Sequence, residues 1–318
     1  MRSPSFWKRL FAFTAASAML VVPFRFLTVN AVVRVPVSKP SASVSAISDV
    51  TDGIYDGVLM KMTDLSYVNL ADEVGQSFDE IEQASLSEKG PDALLEEIRR
   101  VNRMDWHEPY DEAVGQFFSD LRGWRVLAVD NEEAEAGFYA VAYAKGADVV
   151  ISYRGTTNNV MDLVADAGIY LSVPNVIDQL KPAKSFFEAA CAKALQTANA
   201  KEVHVILTGH SMGGWLAQSV YLEERKVAGP WDISGVVVFN SIGTGFQPMA
   251  HETVPVKDYH FDGDVFSRFG TSLGEVIDVP NPNPDASVYD KHQMYEFYHY
   301  FYPYAEGTSS WNGRGERA

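Results

Sequence analysis

The segment Gly209-His210-Ser211-Met212-Gly213 places a serine between two glycines, each of them two residues away. A Gly-x-Ser-x-Gly pattern between an apolar strand and a helix predicts a sharp turn that exposes the serine hydroxyl at the helix N-terminus. The helix dipole and the free N–H groups there favour a developing anion. The chemistry that this pattern predicts is nucleophilic attack by Ser211. The alternative is an ordinary strand–turn–helix junction.

A serine hydroxyl is a weak nucleophile and needs a base to activate it. Where a serine stands in such a turn, the order along the chain is serine, then acid, then histidine. Of the seven histidines, His292 and His299 follow both Ser211 and a candidate acid. His292 comes after a loop rich in proline and asparagine, whereas His299 lies in the aromatic run 295–304. We therefore predict His292 as the general base, with His299 as the alternative.

Two aspartates, Asp262 and Asp264, flank Gly263 just after the predicted strand 256–261. In a tight turn, one carboxylate can face the histidine while the other binds the backbone. We favour Asp264 over Asp262 as the acid. Its role would be to orient the imidazole and to stabilise the imidazolium that forms, without taking the proton itself.

Acyl transfer also needs two N–H donors for the oxyanion that forms on the substrate. One comes from the residue after the nucleophile, Met212, and the other from the loop after an earlier central strand. The apolar run 148–153 predicts that strand, and Arg154-Gly155-Thr156 follows it. Gly155 permits an unusual turn, and Thr156 offers an N–H and a hydroxyl. A plain turn with a surface arginine is the alternative.

Alternating strand and helix patterns must position these residues. Short apolar runs predict strands at 124–129, 138–143, 148–153, 203–208, 235–240 and 256–261, and longer runs predict helices at 183–198 and 213–225. Strands separated by helices imply a mainly parallel central sheet with right-handed crossovers. The first strands are predicted as an antiparallel addition to it. The fold class is therefore α/β, with helices flanking the sheet and an N-terminal helical extension over 64–103.

The N-terminal region differs from the rest of the chain. Residues 1–31 combine a basic start with an uncharged apolar run over 10–22, which predicts a secretory signal peptide or a membrane anchor. The predicted location is secreted or in the cell envelope, and a misassigned start would make it cytoplasmic. The Ser-, Pro- and Ala-rich stretch 32–48 predicts a linker, 49–304 the catalytic domain, and 305–318 a flexible tail.

The composition excludes several classes of partner. The chain has 318 residues, with 26 Lys and Arg against 42 Asp and Glu, and a formal net charge of −16. Because phosphate binding needs a basic face, no nucleic-acid partner is predicted.

The single cysteine, Cys191, excludes an internal disulfide and is predicted as a core residue of the helix 183–198. The sequence has no His/Cys metal motif and no phosphate-binding glycine loop, so no metal and no cofactor are predicted.

Two apolar segments bear on substrate access. Residues Gly168–Lys181 follow the candidate oxyanion loop and predict either a lid or acyl groove, or a loop and helix start that cover the core. The aromatic run 295–304 predicts either an interfacial contact with lipid or a terminal helix packed on the sheet. The sequence assigns no substrate-binding residue and no oligomeric state.

At these motifs the chain resembles the class 3 (triacylglycerol) lipases, in their bacterial lipase-like branch, within the α/β-hydrolases. In that family a strand ends in Arg-Gly-Ser/Thr with an aspartate about ten residues on, as Arg154-Gly155-Thr156 does here before Asp162 and Asp166. The family elbow, Gly-His-Ser-x-Gly-Gly, matches residues 209–214. The family acid precedes a small hydrophobic residue, like Asp264-Val265, and the base stands in a motif like His292-Gln293-Met294. The resemblance covers roughly residues 125–300.

The resemblance implies an α/β-hydrolase fold, a triad of Ser211, Asp264 and His292, and an oxyanion hole formed by Thr156 and Met212. It implies a lipase or esterase that hydrolyses lipid or small acyl esters through an acyl-enzyme. The elbow does not separate this activity from that of a thioesterase, a peptidase or an acyltransferase, because function depends on the site and not on the fold. A non-catalytic binding module of the envelope is the remaining alternative.

Overall fold

The structure, a computed structural model, describes residues 48–86, 93–102, 110–132, 137–156, 174–244, 253–281 and 283–302. The chain divides into a unit Met1–Ala46 and a unit Ile47–Ala318, and every described residue belongs to the second. The predicted signal or anchor, the linker up to residue 47 and the tail 305–318 lie outside the described residues. So do Asp162, Asp166 and the part of the candidate lid segment over 168–173.

In the described part of the chain, seven strands form the central sheet, and their order across the sheet is their order along the chain. A hairpin of β1 (Val50–Thr51) and β2 (Ile54–Tyr55) precedes the sheet strands β3 (Arg125–Glu132), β4 (Phe138–Lys145), β5 (Asp148–Tyr153), β6 (Val203–His210), β7 (Trp231–Phe239), β8 (Val256–Phe261) and β9 (Glu275–Val279). β3, β4 and β5 pair antiparallel, and β5 to β9 pair parallel. The predicted fold class, including the antiparallel addition, is confirmed.

The described helices are α1 (Asp56–Asp64), α2 (Phe78–Ser85), α3 (Ala93–Asn102), α4 (Tyr110–Phe118), α5 (Pro174–Ala198), α6 (Met212–Glu224), α7 (Val288–His292) and α8 (Tyr298–Phe301). The predicted N-terminal extension is thus a series of short helices. Single 3-10 turns at Leu65–Tyr67 and Ala71–Glu73 separate α1 from α2. α5 begins at Pro174, well before the predicted residue 183, and continues through Pro182 in its interior. Proline is well tolerated at the first helical position, as at Pro174.

The two faces of the sheet bury separate layers, because side chains alternate along each strand. On β6, Val205 and Leu207 pack with α5 and α6, whereas Ile206 faces the opposite layer, to which α1 to α4 contribute. Cys191 is fully buried in the α5 layer, as a core residue would be. None of the helices in the described ranges is both long and apolar enough to cross a membrane.

The described part of the aromatic run packs into the core. Phe297, Tyr298, Phe301 and Tyr302 are each at most 1% exposed and belong to the layer that holds α1. Tyr298 donates its hydroxyl to Asp64 at the end of α1 (2.8 Å). These contacts agree with the interpretation of a terminal helix packed on the sheet.

Candidate active site

The turn between β6 and α6 holds Ser211 in a strained backbone. Its φ of 56° and ψ of −123° lie where a non-glycine residue is costly, and such strain persists only where the surroundings impose it. The Ser211 N–H donates to the carbonyl of Phe239 on β7 (3.1 Å), and its own carbonyl accepts from Gly214 (3.1 Å). Ser211 is the residue that immediately precedes α6, so its side chain stands at the helix N-terminus.

Two glycines of the turn are required by close backbone approach. A Cβ on Gly209 would overlap the carbonyl of Gly213, and a Cβ on Gly213 would overlap the carbonyl of Tyr153 at the end of β5. Only hydrogen fits at either position, which lets α6 leave the sheet directly after the strand. The two glycines of the Gly-x-Ser-x-Gly motif are therefore required by the geometry of this turn.

The structure brings three predicted residues into one hydrogen-bonded line. Ser211 Oγ lies 2.9 Å from Nε2 of His292, and Nδ1 of His292 lies 3.1 Å from both carboxylate oxygens of Asp264. All three side chains are at least 97% buried. With Nδ1–H donating to Asp264, Nε2 carries a lone pair and can accept the serine proton. His299, the alternative base, is exposed on α8.

Asp264 follows β8 through a tight turn in which Gly263 has a φ of +85°. Its Oδ1 accepts from the N–H of Phe266 (3.1 Å) and its Oδ2 from the N–H of Ser267 (3.0 Å). Burial raises the pKa of Asp264, but the hydrogen bond and charge of His292, together with these two N–H groups, bring it below its ordinary value. Asp264 is therefore a carboxylate at neutral pH. Asp262 is exposed on the outer side of the turn.

The candidate oxyanion loop lies against the serine turn. A Cβ on Gly155 would come within 3.1 Å of the Ser211 Cβ, and the Thr156 hydroxyl lies 3.8 Å from the sulfur of Met212. Met212 is the first residue of α6, so its N–H has no partner within the helix. The side chains of Thr156 and Met212 are thus in contact, and Gly155 lies directly against Ser211. Arg154 is 8% exposed, and its guanidinium lies 4.4 Å from the Tyr139 ring centre, so it is no surface arginine.

Three further residues hold the site, and sequence reasoning did not assign them. The Nε2 of His210 lies 2.6 Å from the backbone carbonyl of His292, and its Nδ1 lies 2.6 Å from the hydroxyl of Tyr67. The Nδ2 of Asn240 donates to the same carbonyl at 3.2 Å. His210 lies inside the recognised motif, but the chain order of a triad gives it no role. No sequence motif around Tyr67 or Asn240 marks either residue as part of the site.

A cleft of about 450 Å³ is lined in part by Thr156, His210 and His292. Its described wall includes Asp64, Glu97, Arg100 and Arg154, so charges of both signs line it. Burial raises the pKa of Asp64 to about 7. Within the described ranges, no group of three or more His, Cys, Asp or Glu side chains could hold a metal ion.

Acidification is expected to destabilise the fold through His210. Burial, and then the charge of His292, lower the pKa of His210 from 6.5 to about 3, and the groups that face it are Tyr67, His292 and Asp264. Folding favours the neutral ring, so its contribution to stability is present above pH 6.5 and is lost as the pH falls towards 3. Thermal unfolding at about pH 7 and pH 4 should show a smaller drop in Tm for His210→Gln than for the wild type. Equal drops would contradict this assignment.

Comparisons with protein-family models and with curated proteins find no match. Solved structures that match this chain include the Rhizomucor miehei lipase propeptide complex, with 13% sequence identity, coverage of 72% of this chain and 70% of that chain, and a TM-score of 0.40. A second is the Lip2 lipase from Yarrowia lipolytica, with 11% identity, coverage of 70% of this chain and 79% of that chain, and a TM-score of 0.41. A third is the extracellular lipase LipA from Serratia marcescens, with 19% identity, coverage of 70% of this chain and 43% of that chain, and a TM-score of 0.37. The sequence identities are low, and the fold class rests on the topology of this chain, a mainly parallel sheet with flanking helices.

Proposed function

We propose that this chain is a serine hydrolase that cleaves carboxylic esters through an acyl-enzyme. Ser211 is the nucleophile, His292 the general base and Asp264 the residue that orients the base, while the N–H groups of Thr156 and Met212 bind the oxyanion. The observation that carries the proposal is the 2.9 Å distance between Ser211 Oγ and His292 Nε2, at a strained turn and a helix N-terminus.

In the acylation step, the Ser211 proton moves to Nε2 of His292 as Oγ bonds to the ester carbonyl carbon. The carbonyl electrons move to oxygen, and the two backbone N–H donors stabilise the resulting charge. One such donor contributes about 2.7–4 kcal/mol in a comparable protease. When the tetrahedral intermediate collapses, the bond to the alcohol oxygen breaks and the imidazolium gives its proton to that oxygen.

Deacylation repeats these steps with water. His292 takes a proton from a water molecule as the water oxygen attacks the acyl carbon, and the bond between this carbon and Ser211 Oγ then breaks. The proton returns to Oγ, and the free acid leaves. Asp264 stays ionised throughout and stabilises the imidazolium in both halves of the cycle.

The substrate class that we propose is a lipid or small acyl ester. Of the charged side chains on the described wall of the cleft, Asp64 and Arg154 are buried. They favour an ester with a polar alcohol or head group, since buried polar groups in a pocket orient a ligand. The net charge of −16 gives no support to a nucleic-acid partner. Export through residues 1–31, to the envelope or the medium, stays a prediction.

A fluorophosphonate probe tests this proposal, because it labels only an activated serine. We expect stoichiometric labelling of the wild type, loss of labelling in Ser211→Ala, and unchanged labelling in Ser185→Ala, which removes an exposed serine of α5. Peptide mapping of the labelled protein should identify Ser211. No labelling of the folded wild type would exclude the catalytic proposal and leave the binding module.

A substrate panel on the same proteins distinguishes an ester hydrolase from a thioesterase or a peptidase. The wild type should hydrolyse p-nitrophenyl esters, and the acyl-chain profile together with a phospholipid panel separates esterase from lipase. Acyl thioesters and peptides in the same panel test the thioesterase and peptidase alternatives. Faster turnover of either of these than of any ester would contradict the proposed substrate class.

A further inference from the structure

We propose that Tyr67 and His210 are positioning residues that join the oxyanion loop to the backbone of the general base. This inference rests on the proposed function, because it concerns the distance between two parts of that active site. Neither residue touches the reacting atoms in the mechanism above. Their effect would come through the hydrogen bonds that they make.

The bonds form a continuous chain across the site. The N–H of Gly155 donates to the hydroxyl oxygen of Tyr67 (3.2 Å), and this hydroxyl lies 2.6 Å from Nδ1 of His210. Nε2 of His210 in turn lies 2.6 Å from the carbonyl oxygen of His292. This chain of hydrogen bonds therefore runs from Gly155, next to Thr156, to the backbone carbonyl of His292. It passes through His210, next to Ser211.

The chemistry of the groups fixes the direction of each bond. A carbonyl oxygen only accepts, so Nε2 of His210 must carry the hydrogen that points to His292. In the neutral ring Nδ1 then has a lone pair and accepts a hydrogen bond from the hydroxyl of Tyr67. The phenol oxygen of Tyr67 is left with a lone pair for the N–H of Gly155. Every member of the chain is satisfied only in this one arrangement.

Burial supports the protonation states that this arrangement needs. It raises the pKa of Tyr67 well above its usual range, so the phenol keeps its proton. Burial, and then the charge of His292, lower the pKa of His210 to about 3, so its ring stays neutral at working pH. A protonated His210 would point a second N–H at the hydroxyl of Tyr67 and would break the chain.

The far end of the chain has a second anchor. Asn240, whose φ is +42°, donates from Nδ2 to the carbonyls of Lys291 (3.1 Å) and His292 (3.2 Å), while its Oδ1 accepts from Phe261 (2.8 Å). The carbonyl of His292 is therefore held from β6 by one side chain and from the end of β7 by another. Tyr67 supplies the hydrogen bond that ties Gly155 to this anchored end.

Tyr67→Phe is the direct test, since it removes one oxygen and keeps the ring. We expect kcat for a p-nitrophenyl ester to fall by about 10- to 100-fold with KM changed less than twofold, because a small displacement of catalytic groups costs rate and not binding. The matched control is Tyr143→Phe, which removes a buried hydroxyl bonded to the carbonyl of Met62 (3.0 Å) outside the site. The control should keep wild-type kcat.

His210 supplies the second arm of the test. His210→Gln keeps an amide donor for the carbonyl of His292, so it should retain more activity than His210→Leu, which keeps none. In the double variant with Tyr67→Phe, the losses of His210→Gln should be less than additive, because both changes break the same chain. Rates are normalised to the fraction of protein that binds the fluorophosphonate probe, which removes any effect of partial folding.

The outcomes separate this inference from the proposed function. If the wild type is labelled and Tyr67→Phe turns over as fast as Tyr143→Phe, the positioning role is wrong and the serine hydrolase stands. An effect of Tyr67→Phe on KM alone would also overturn it. If the wild type is neither labelled nor active, the proposed function fails first.

Discussion

Replacing His292 with alanine is expected to lower kcat for ester hydrolysis by about 10⁴-fold or more, with little change in KM. Ser211 Oγ has its hydrogen-bond partner at 2.9 Å in Nε2 of this residue, and the variant leaves the serine with no group to take its proton. The main-chain donors of the oxyanion hole would remain, so a residual rate above that in water should survive. Steady-state kinetics on a p-nitrophenyl ester measures the loss.

His299→Ala is the matched control for this prediction. It removes a histidine seven residues along the same C-terminal segment, but one that is exposed on α8. We expect kcat within about twofold of the wild type, as for an exposed residue outside the site. If His299→Ala abolished turnover and His292→Ala did not, the base would be wrongly assigned, and the hydrogen bonds that link Asp264, His292 and Ser211 would not take part in catalysis.

The central strands could be predicted from sequence because each is a short apolar run that stays buried on both faces. β8 has the predicted bounds, and β5 and the start of β6 agree as well. Strands that are covered on both faces are apolar at successive positions, so an apolar run in the sequence coincides with a buried strand in the structure. Parallel pairing followed from the helices between them, which must cross over the sheet.

Other elements left no comparable pattern. All nine residues of α1 are buried, including the charged Asp56, Lys61 and Asp64. The helix therefore has no exposed face, and its charged residues do not mark a solvent side that could have revealed its start. β9 is a five-residue strand at the edge of the sheet, with only Ile277 and Val279 buried, and its short run of alternating residues follows a loop. Both depend on contacts with distant parts of the chain.

The site shows the same division between local and distant information. Ser211 could be predicted as the nucleophile from five consecutive residues, because the turn itself demands glycine on both sides. Asp264 and His292 needed the chain order as well, and the choice between Asp262 and Asp264 stayed open. Tyr67 could not be found in this way, because its partner His210 lies 143 residues further along the chain.

Asp264→Asn is expected to lower kcat by about 10⁴-fold while leaving the side-chain volume unchanged. Oδ1 of Asp264 accepts from Phe266 and Oδ2 from Ser267, and both oxygens face Nδ1 of His292. An amide group must place its NH₂ against one of these backbone donors. An NH₂ facing Nδ1 would also favour the tautomer with hydrogen on Nε2, which cannot accept the proton of Ser211.

Asp262→Asn makes the same chemical change two residues earlier, on an exposed side chain. Because Asp262 has no contact with the histidine, its kcat and its rate of fluorophosphonate labelling should match those of the wild type. A loss of less than about tenfold in Asp264→Asn, at wild-type Tm, would mean that the carboxylate does not set the tautomer. A large loss in Asp262→Asn instead would move the acid to the other side of Gly263. The pair of variants therefore decides between the two aspartates with one assay and no change in side-chain size.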